Sequence, residues 1–308
     1  MATDGDADEF DHDVESAVVT GAVGQVGSWV VERLADAGVD VVGIDRERPE
    51  GTRFNARFRA VDLTEQGPTA ETMQEINPDA VVHFAATSNP LDAPGTAVYE
   101  NNVQSTYNTL VAAGRADAEV VWASSQAAYG MLFAEEPWVP DYLPVDEAHE
   151  FRPEDPYGAS KVCGEGIADM VARRYDVPVT SLRPATIYTP GEYRARPKTE
   201  DFDLSSAELS GNFWSYVDVR DVARMVEAAL AADYAGHEAF NCVADENYLG
   251  HPTADLIEAT GHDLPPECHL DGEAAALDNE KAAEMLGWEP RHAWHEVEGV
   301  EPVSLDWL

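Results

Sequence analysis

The stretch Glu15-Ser16-Ala17-Val18-Val19-Thr20-Gly21-Ala22-Val23-Gly24-Gln25-Val26-Gly27 decides how the chain is read. Ala17-Val18-Val19 is a short apolar run of the kind that forms a buried strand, and it leads directly into glycines at 21, 24 and 27. An amphipathic helix follows from about Val26 to Ala37 and stops at Gly38. Val39 to Ile44 is a second apolar strand, ending in Asp45. Strand, glycine turn, helix, strand and acid make a βαβ unit. Glycines in that turn let the backbone approach a pyrophosphate, and the helix N-terminus offers it unpaired N–H groups and a positive dipole end. A carboxylate at Asp45 is placed for a ribose 2′-hydroxyl.

The alternation continues. Ala60 to Leu63, Ala80 to Ala85, Glu119 to Ala123 and Val177 to Arg183 read as strands. Thr69 to Ile76, Pro94 to Arg115 and Pro156 to Tyr175 read as helices. Strands alternating with helices predict an α/β fold, a Rossmann-like doubly wound parallel sheet. After Arg183 the pattern loosens. Pro184 to Asn212 reads as a substrate loop without regular structure. Tyr216 to Ala231 restores a strand edge and a helix, in which Asp218 and Asp221 read as acids bracing the join. Ala239 to Val243 is a late strand, and Ala254 to Thr260 and Asn279 to Leu286 are short helices. The expected organisation is a disordered acidic tail over residues 1–14 and one domain over 15–308. In that domain a dinucleotide-binding core (about 15–183) interleaves with a small substrate-binding cap (about 184–308).

Pro156-Tyr157-Gly158-Ala159-Ser160-Lys161 places a tyrosine and a lysine one helical turn apart on one face. An ammonium beside a phenol favours the phenolate, which lowers the tyrosine pKa and makes it a general base. The chain has three lysines, Lys161, Lys198 and Lys281, so a lysine at this spacing is not a product of abundance.

Composition sets further bounds. The chain carries 59 Asp and Glu against 19 Lys and Arg, a formal net charge of −40. Such a surface repels nucleic acid and anionic membranes, so neither is an expected partner. The acids are spread through the chain, which reads as adaptation to high salt. Cys163, Cys242 and Cys268 have no paired spacing and indicate a reducing compartment, with no metal site. The expected location is cytoplasmic and the expected assembly a homo-oligomer, a dimer or tetramer.

Together these residues resemble the extended short-chain dehydrogenase/reductase family, the NAD-dependent epimerases and dehydratases. The resemblance is carried by Thr20 to Gly27, Val61-Asp62-Leu63, His83-Phe84-Ala85-Ala86, Glu100-Asn101-Asn102-Val103, Ser124-Ser125-Gln126-Ala127-Ala128-Tyr129-Gly130, Tyr157 to Lys161, Leu182-Arg183-Pro184 and Tyr216 to Asp221. It implies that Ser125 hydrogen-bonds the reacting oxygen, that Tyr157 is the acid or base, and that Lys161 binds the nicotinamide ribose. It implies a cofactor, NAD or NADP, held by Gly21, Gly24, Gln25, Val26, Gly27, Asp45, Arg46, Asp62, Leu63, Ala85, Ala86, Thr87, Asn101, Ser124, Tyr157, Lys161, Pro184 and Ala185. Asp45 favours NAD because its carboxylate repels a 2′-phosphate, while Arg46 and Arg48 can neutralise one.

Two departures narrow the implied chemistry. The family's dehydratases follow the catalytic Ser/Thr with Asp-Glu, whereas Gln126 and Ala127 stand here and neither ionises. The interval from Arg183 to Val217 is short and lacks the segment that grips a nucleotide diphosphate. It is more similar to the family's free-sugar dehydrogenases, among them uronate dehydrogenases and aldose 1-dehydrogenases. The implied reaction is oxidation of a free aldose at C1 to its lactone, with a pentose such as L-arabinose favoured. The alternatives are an NDP-sugar 4-epimerase with tightly bound NAD, or a uronate dehydrogenase. Ser88, Ser125, Gln126, Tyr157, Thr186 and Arg194 are the candidate sugar contacts.

At about 1 M salt the Debye length is about 3 Å, so repulsion among surface acids is screened. Thermal unfolding followed by circular dichroism therefore shifts upward when KCl is raised from dilute buffer to about 1 M. A melting temperature that stays flat or falls contradicts the salt-adapted reading.

Overall fold

The computed structural model describes residues 10–89, 93–191, 202–295, 303 and 305–308. Its centre is a seven-stranded, wholly parallel sheet whose strands, from one edge to the other, begin at residues 237, 179, 119, 80, 16, 40 and 56. The strands are β1 (Ser16–Thr20), β2 (Asp40–Asp45), β3 (Ala56–Ala60), β4 (Ala80–His83), β5 (Glu119–Ala123), β7 (Val179–Pro184) and β10 (His237–Cys242). Helices α1 (Gln25–Asp36), α2 (Gln66–Ile76), α3 (Gly95–Arg115), α4 (Pro156–Tyr175) and α5 (Val219–Ala231) cover its two faces. Four small strands, β6 (Tyr142–Leu143) with β11 (Glu267–Cys268) and β8 (Thr186–Tyr188) with β9 (Tyr216–Asp218), form two side ribbons. Helices α6 (Thr253–Ala259) and α7 (Glu280–Leu286) complete the chain.

The chain builds β1, β2 and β3 towards one edge, then returns to the middle and builds β4, β5, β7 and β10 towards the other. β1 and β4 are therefore neighbours whose following loops diverge. Open α/β sheets bind ligands in the crevice left at such a switch point. Buried aliphatic strands make both faces apolar. Val19, Val41, Val82 and Val121 pack with α1 and α5 on one side, and Val18, Val42, Val81 and Val120 pack with α3 and α4 on the other.

Several sequence expectations need correction. The third strand runs over Ala56–Ala60 and shares only Ala60 with the expected Ala60 to Leu63, where Asp62 turns the chain by accepting hydrogen bonds from the Thr64 N–H and hydroxyl. The stretch after Pro184 is not all loop, since Thr186–Tyr188 pairs in parallel with Tyr216–Asp218. That ribbon was too short to show an alternating pattern. The expected tail over 1–14 is not uniformly detached either. Val14 is buried and Phe10 packs against the α1 side of the core. Residues 1–9 lie outside the described residues. Asp218 and Asp221 brace the join as expected. Asp218 caps α5 by accepting the Arg220 N–H at 2.9 Å, and Asp221 accepts from Arg224 Nη1 and from the backbone N–H groups of Arg291 and His292.

Behind β5 and β7 lies a buried polar cluster. Arg183 Nε and Nη2 bind Glu165 Oε1 and Oε2 at 2.8 and 2.7 Å, and Glu165 Oε1 also accepts the Ser124 hydroxyl at 2.6 Å. Arg183 Nη1 reaches the Tyr129 hydroxyl, which donates to Asn241 Oδ1 at 2.7 Å. Removing one member of a buried pair leaves the other charge uncompensated. Glu165→Ala is expected to lose about 3–5 kcal/mol of stability by urea unfolding. A loss under about 1 kcal/mol would show that the pair is replaceable by water.

Candidate active site

The loops at the carboxyl ends of β1, β2, β3, β4, β5 and β7 enclose one cavity of about 670 Å³. One end is built by the glycine turn. Gly21 has φ of +67°, and a Cβ at Gly27 would stand 2.1 Å from the Gly21 carbonyl oxygen. No other residue type can close this turn so tightly. Gly24 precedes α1, whose N-terminus has no side-chain cap, so its first N–H groups face the cavity end available to an anion. Asp45 is oriented by two backbone donors, Val23 N–H at 3.2 Å and Arg46 N–H at 2.7 Å. The Arg46 guanidinium donates to Asn101 Oδ1 across the groove. The Asp62 carboxyl lies below the usual range, chiefly because of its bond from the Thr64 hydroxyl.

The middle of the cavity is the loop after β4. Asn102 holds it from inside α3. Its Oδ1 accepts the Thr87 N–H at 2.8 Å, and its Nδ2 donates to the Thr87 carbonyl at 3.0 Å and to Ser160 on α4 at 3.3 Å. Nothing in the local sequence distinguishes the role of Asn102 from that of Asn101 beside it. Asn102 ties the loop after β4 to α4.

The other end holds Ser125, Tyr157 and Lys161, the residues expected from the sequence to be catalytic. α4 starts where Asp155 accepts the N–H groups of Tyr157 and Gly158 through Oδ1, both at 2.8 Å, with Pro156 in the first turn. Tyr157 therefore projects from a capped helix end. Its phenol is hydrogen-bonded to Ser125, whose Oγ also accepts the Ala127 N–H at 3.1 Å. Lys161 Nζ donates to the Ala123 carbonyl at 2.6 Å and lies 5.4 Å from the centroid of the Tyr157 ring. Phe133 meets Tyr157 edge-on at 6.1 Å. With Leu132 it lines the cavity from a segment in which the sequence showed no periodic signal.

All the sequence-predicted site residues line this cavity except Arg194, which lies outside the described residues. Three expectations are modified. The Ser124 hydroxyl is turned inward onto Glu165, so it is not offered to a ligand. Gln25 spans the cleft, its Nε2 donating to the Ile187 carbonyl and to Thr189 Oγ1. The tyrosine pKa moves opposite to the sequence expectation. Burial raises it, against a smaller lowering from the Ser125 hydrogen bond. Lys161, held on the Ala123 carbonyl over the ring face, does not reverse that direction. Burial brings Lys161 itself down to about 7. His83, held between Thr20 and Thr106, is lowered to about 3 by burial and then by Lys161, and is neutral.

The sequence matches the family model "NAD dependent epimerase/dehydratase family" over residues 17–242. The chain belongs to this family. Among its relatives, a UDP-glucose 4-epimerase of Corynebacterium glutamicum is 28% identical over 312 residues, covering 89% of this chain and 91% of that protein. An L-arabinose 1-dehydrogenase (NAD(P)(+)) of Haloferax volcanii is 35% identical over 189 residues, covering 59% of this chain and 71% of that protein. Among solved structures, MoeE5 in complex with UDP-glucuronic acid and NAD superposes with a TM-score of 0.68 at 26% identity, covering 93% of this chain and 97% of that one. As a family member the protein is an NAD(P)-dependent sugar oxidoreductase or epimerase. Its residues fit such a cofactor. The turn at Gly21–Gly27 would take a pyrophosphate and the Asp45 carboxylate a ribose hydroxyl, with Lys161 and Tyr157 at the far end of the same cavity. Among the described residues there is no cluster able to hold a metal ion, and no helix long and apolar enough to cross a membrane.

The buried lysine has a consequence for stability. Its folded pKa of about 7 lies below the ordinary lysine value of 10.5, so the unfolded state binds the extra proton between those values. The cost of burying Lys161 is therefore complete below about pH 7 and fades as pH rises towards the unfolded value. In cofactor-free protein, Lys161→Met is expected to raise the melting temperature by about 5 °C near pH 6, and by progressively less up to about pH 9. A gain independent of pH would refute the assignment.

Proposed function

We propose that the protein oxidises a free aldose at C1 to the corresponding lactone, using NAD or NADP as hydride acceptor. The bound dinucleotide supplies the hydride chemistry. Tyr157, which burial holds as the phenol, first gives its proton to solvent, and the resulting phenolate takes the proton of the anomeric hydroxyl as the C1–H bond gives up its hydride to the dinucleotide and C1=O forms. The Ser125 hydroxyl donates to that oxygen and keeps it directed at Tyr157. Lys161, bound to the Ala123 carbonyl, fixes the height of α4 against β5 and places a positive charge beside the phenolate as it forms.

The observation that carries this reading is the charge distribution of the cavity. Among the described lining residues the cations are Arg46, at the ribose end and bound to Asn101, and Lys161, bound to Ala123. Neither faces a nucleotide diphosphate at the substrate end. That end offers uncharged groups: Ser88, Ser125, Thr186 and Gln126. Gln126 is 4% exposed, and its Nε2 has no partner among the described residues. A buried donor of this kind is satisfied by a ligand oxygen such as a sugar hydroxyl. Gln126 and Ala127 also leave no ionisable pair for loss of water. The similarity to an L-arabinose 1-dehydrogenase supports a pentose. The second reading, a UDP-sugar 4-epimerase, is favoured by the breadth of alignment to UDP-glucose 4-epimerases over 89% of the chain. There the hydride returns to the sugar and no NADH accumulates.

NADH or NADPH formation with free pentoses, hexoses and uronic acids, measured in about 1 M KCl, tests the proposal. One sugar is expected to give stoichiometric reduced cofactor, and Tyr157→Phe to lower kcat about a thousandfold while the protein still binds NAD. Absence of reduced cofactor, together with interconversion of UDP-glucose and UDP-galactose, would replace this reading with the epimerase.

A further inference from the structure

Trp307 stands near the end of the sequence, remote in numbering from the glycine turn, yet it is 4% exposed. Its indole Nε1 donates to Glu32 Oε2 on α1 at 2.8 Å, and the same oxygen accepts Arg53 Nε at 2.6 Å. Its ring packs on Phe58 of β3, with centroids 5.1 Å apart and planes tilted by 30°. Phe58 in turn lies on Gly43 of β2. A Cβ at Gly43 would stand 2.6 Å from the phenyl ring and 2.9 Å from the Cβ of Ala22, inside the glycine turn. A second contact runs through the backbone. The Trp307 carbonyl accepts the Gly51 N–H at 3.2 Å, and a Cβ at Gly51 would stand 2.6 Å from the Trp307 backbone.

Two lines of packing thus run from Trp307 to one wall of the cavity. One passes through Phe58 and Gly43 to Ala22. The other passes through Gly51 into the β2–β3 connection, which begins with Arg46 beside Asp45. Both end on the side lined by Gly21, Asp45 and Arg46. Ser125, Tyr157 and Lys161 lie across the switch point, on α4 and the loop after β5, and share none of these contacts.

We infer that Trp307 is a positioning residue for the adenosine half of the dinucleotide site. It wedges the β2–β3 connection and the glycine turn into the spacing that a pyrophosphate and a ribose require, without touching the ligand. This rests on the dinucleotide assignment and not on which sugar is oxidised, so a silent sugar assay leaves it standing.

Isothermal titration of the full chain, freed of cofactor, with ADP-ribose and separately with nicotinamide mononucleotide decides the matter. Trp307→Ala is expected to raise the ADP-ribose Kd roughly tenfold and to leave the mononucleotide Kd unchanged. Trp307→Phe, which keeps the ring on Phe58 and loses the bond to Glu32, is expected to fall between. An equal loss for both ligands would reduce Trp307 to a general stabiliser and overturn the inference, as would an unchanged ADP-ribose Kd in the folded variant. If Trp307→Ala does not fold, Gly51→Ala decides by the same criterion, since it keeps the indole in the chain while its new Cβ forces the Trp307 backbone away from the β2–β3 connection. Failure of the unsubstituted protein to bind ADP-ribose would overturn the dinucleotide assignment and the inference together.

Discussion

The carboxylate of Glu165 and the guanidinium of Arg183 meet behind the catalytic face, with side chains 8% and 5% exposed. A bidentate pair removed from water is held to one geometry, because any displacement leaves charge without solvent or partner. Glu165 lies one turn beyond Lys161 on α4, and Arg183 lies on β7. The same carboxylate takes the Ser124 hydroxyl at the end of β5. The pair therefore registers α4 against two strands at once. Ser125 follows Ser124 directly, and Tyr157 and Lys161 are on the registered helix. Ser125, Tyr157 and Lys161 are placed from behind by Glu165 and Arg183, which do not line the cavity. The guanidinium also stacks over Phe151 and Tyr129, at 4.6 and 5.2 Å, which extends the registration to the segment before α4.

The dinucleotide end is organised by a different constraint, the close approach of backbone to backbone. Gly27 packs on the Gly21 carbonyl and Gly43 under Phe58, so the turn, α1, β2 and β3 can be no further apart than their main chains. Precision at one end of the cavity comes from charge pairing, and at the other from missing side chains. The two ends meet at the divergence of β1 and β4, where Asn102 links the loop after β4 to α4.

Sequence reasoning went furthest where the signal is local. The glycine turn, the acid at Asp45 and the Tyr157–Lys161 spacing each lie within one unit of structure, and each is where the sequence placed it. The same reasoning misjudged Lys161. Spacing states that two side chains share a helix face, but not what lies opposite them. Here the Ala123 carbonyl takes the ammonium, and burial then raises the phenol. Ser124 shows the same limit. Adjacent serines at a strand end are indistinguishable in sequence, and the strand pleat turns one to Glu165 and the other to Tyr157.

By itself, the sequence determined the parallel α/β architecture, the glycine turn, the spacing of Tyr157 and Lys161 and the acidic surface. These follow from periodicity, glycine spacing and composition, which are properties of neighbouring residues or of the whole chain. Only the tertiary structure decided which hydroxyl faces the cavity, what holds Lys161, that Phe133 and Leu132 line the catalytic end, and that Trp307 buttresses the ribose end. Each of these depends on contacts between segments far apart in sequence. Their partners are chosen by how helices and strands stack, and no local pattern records that choice.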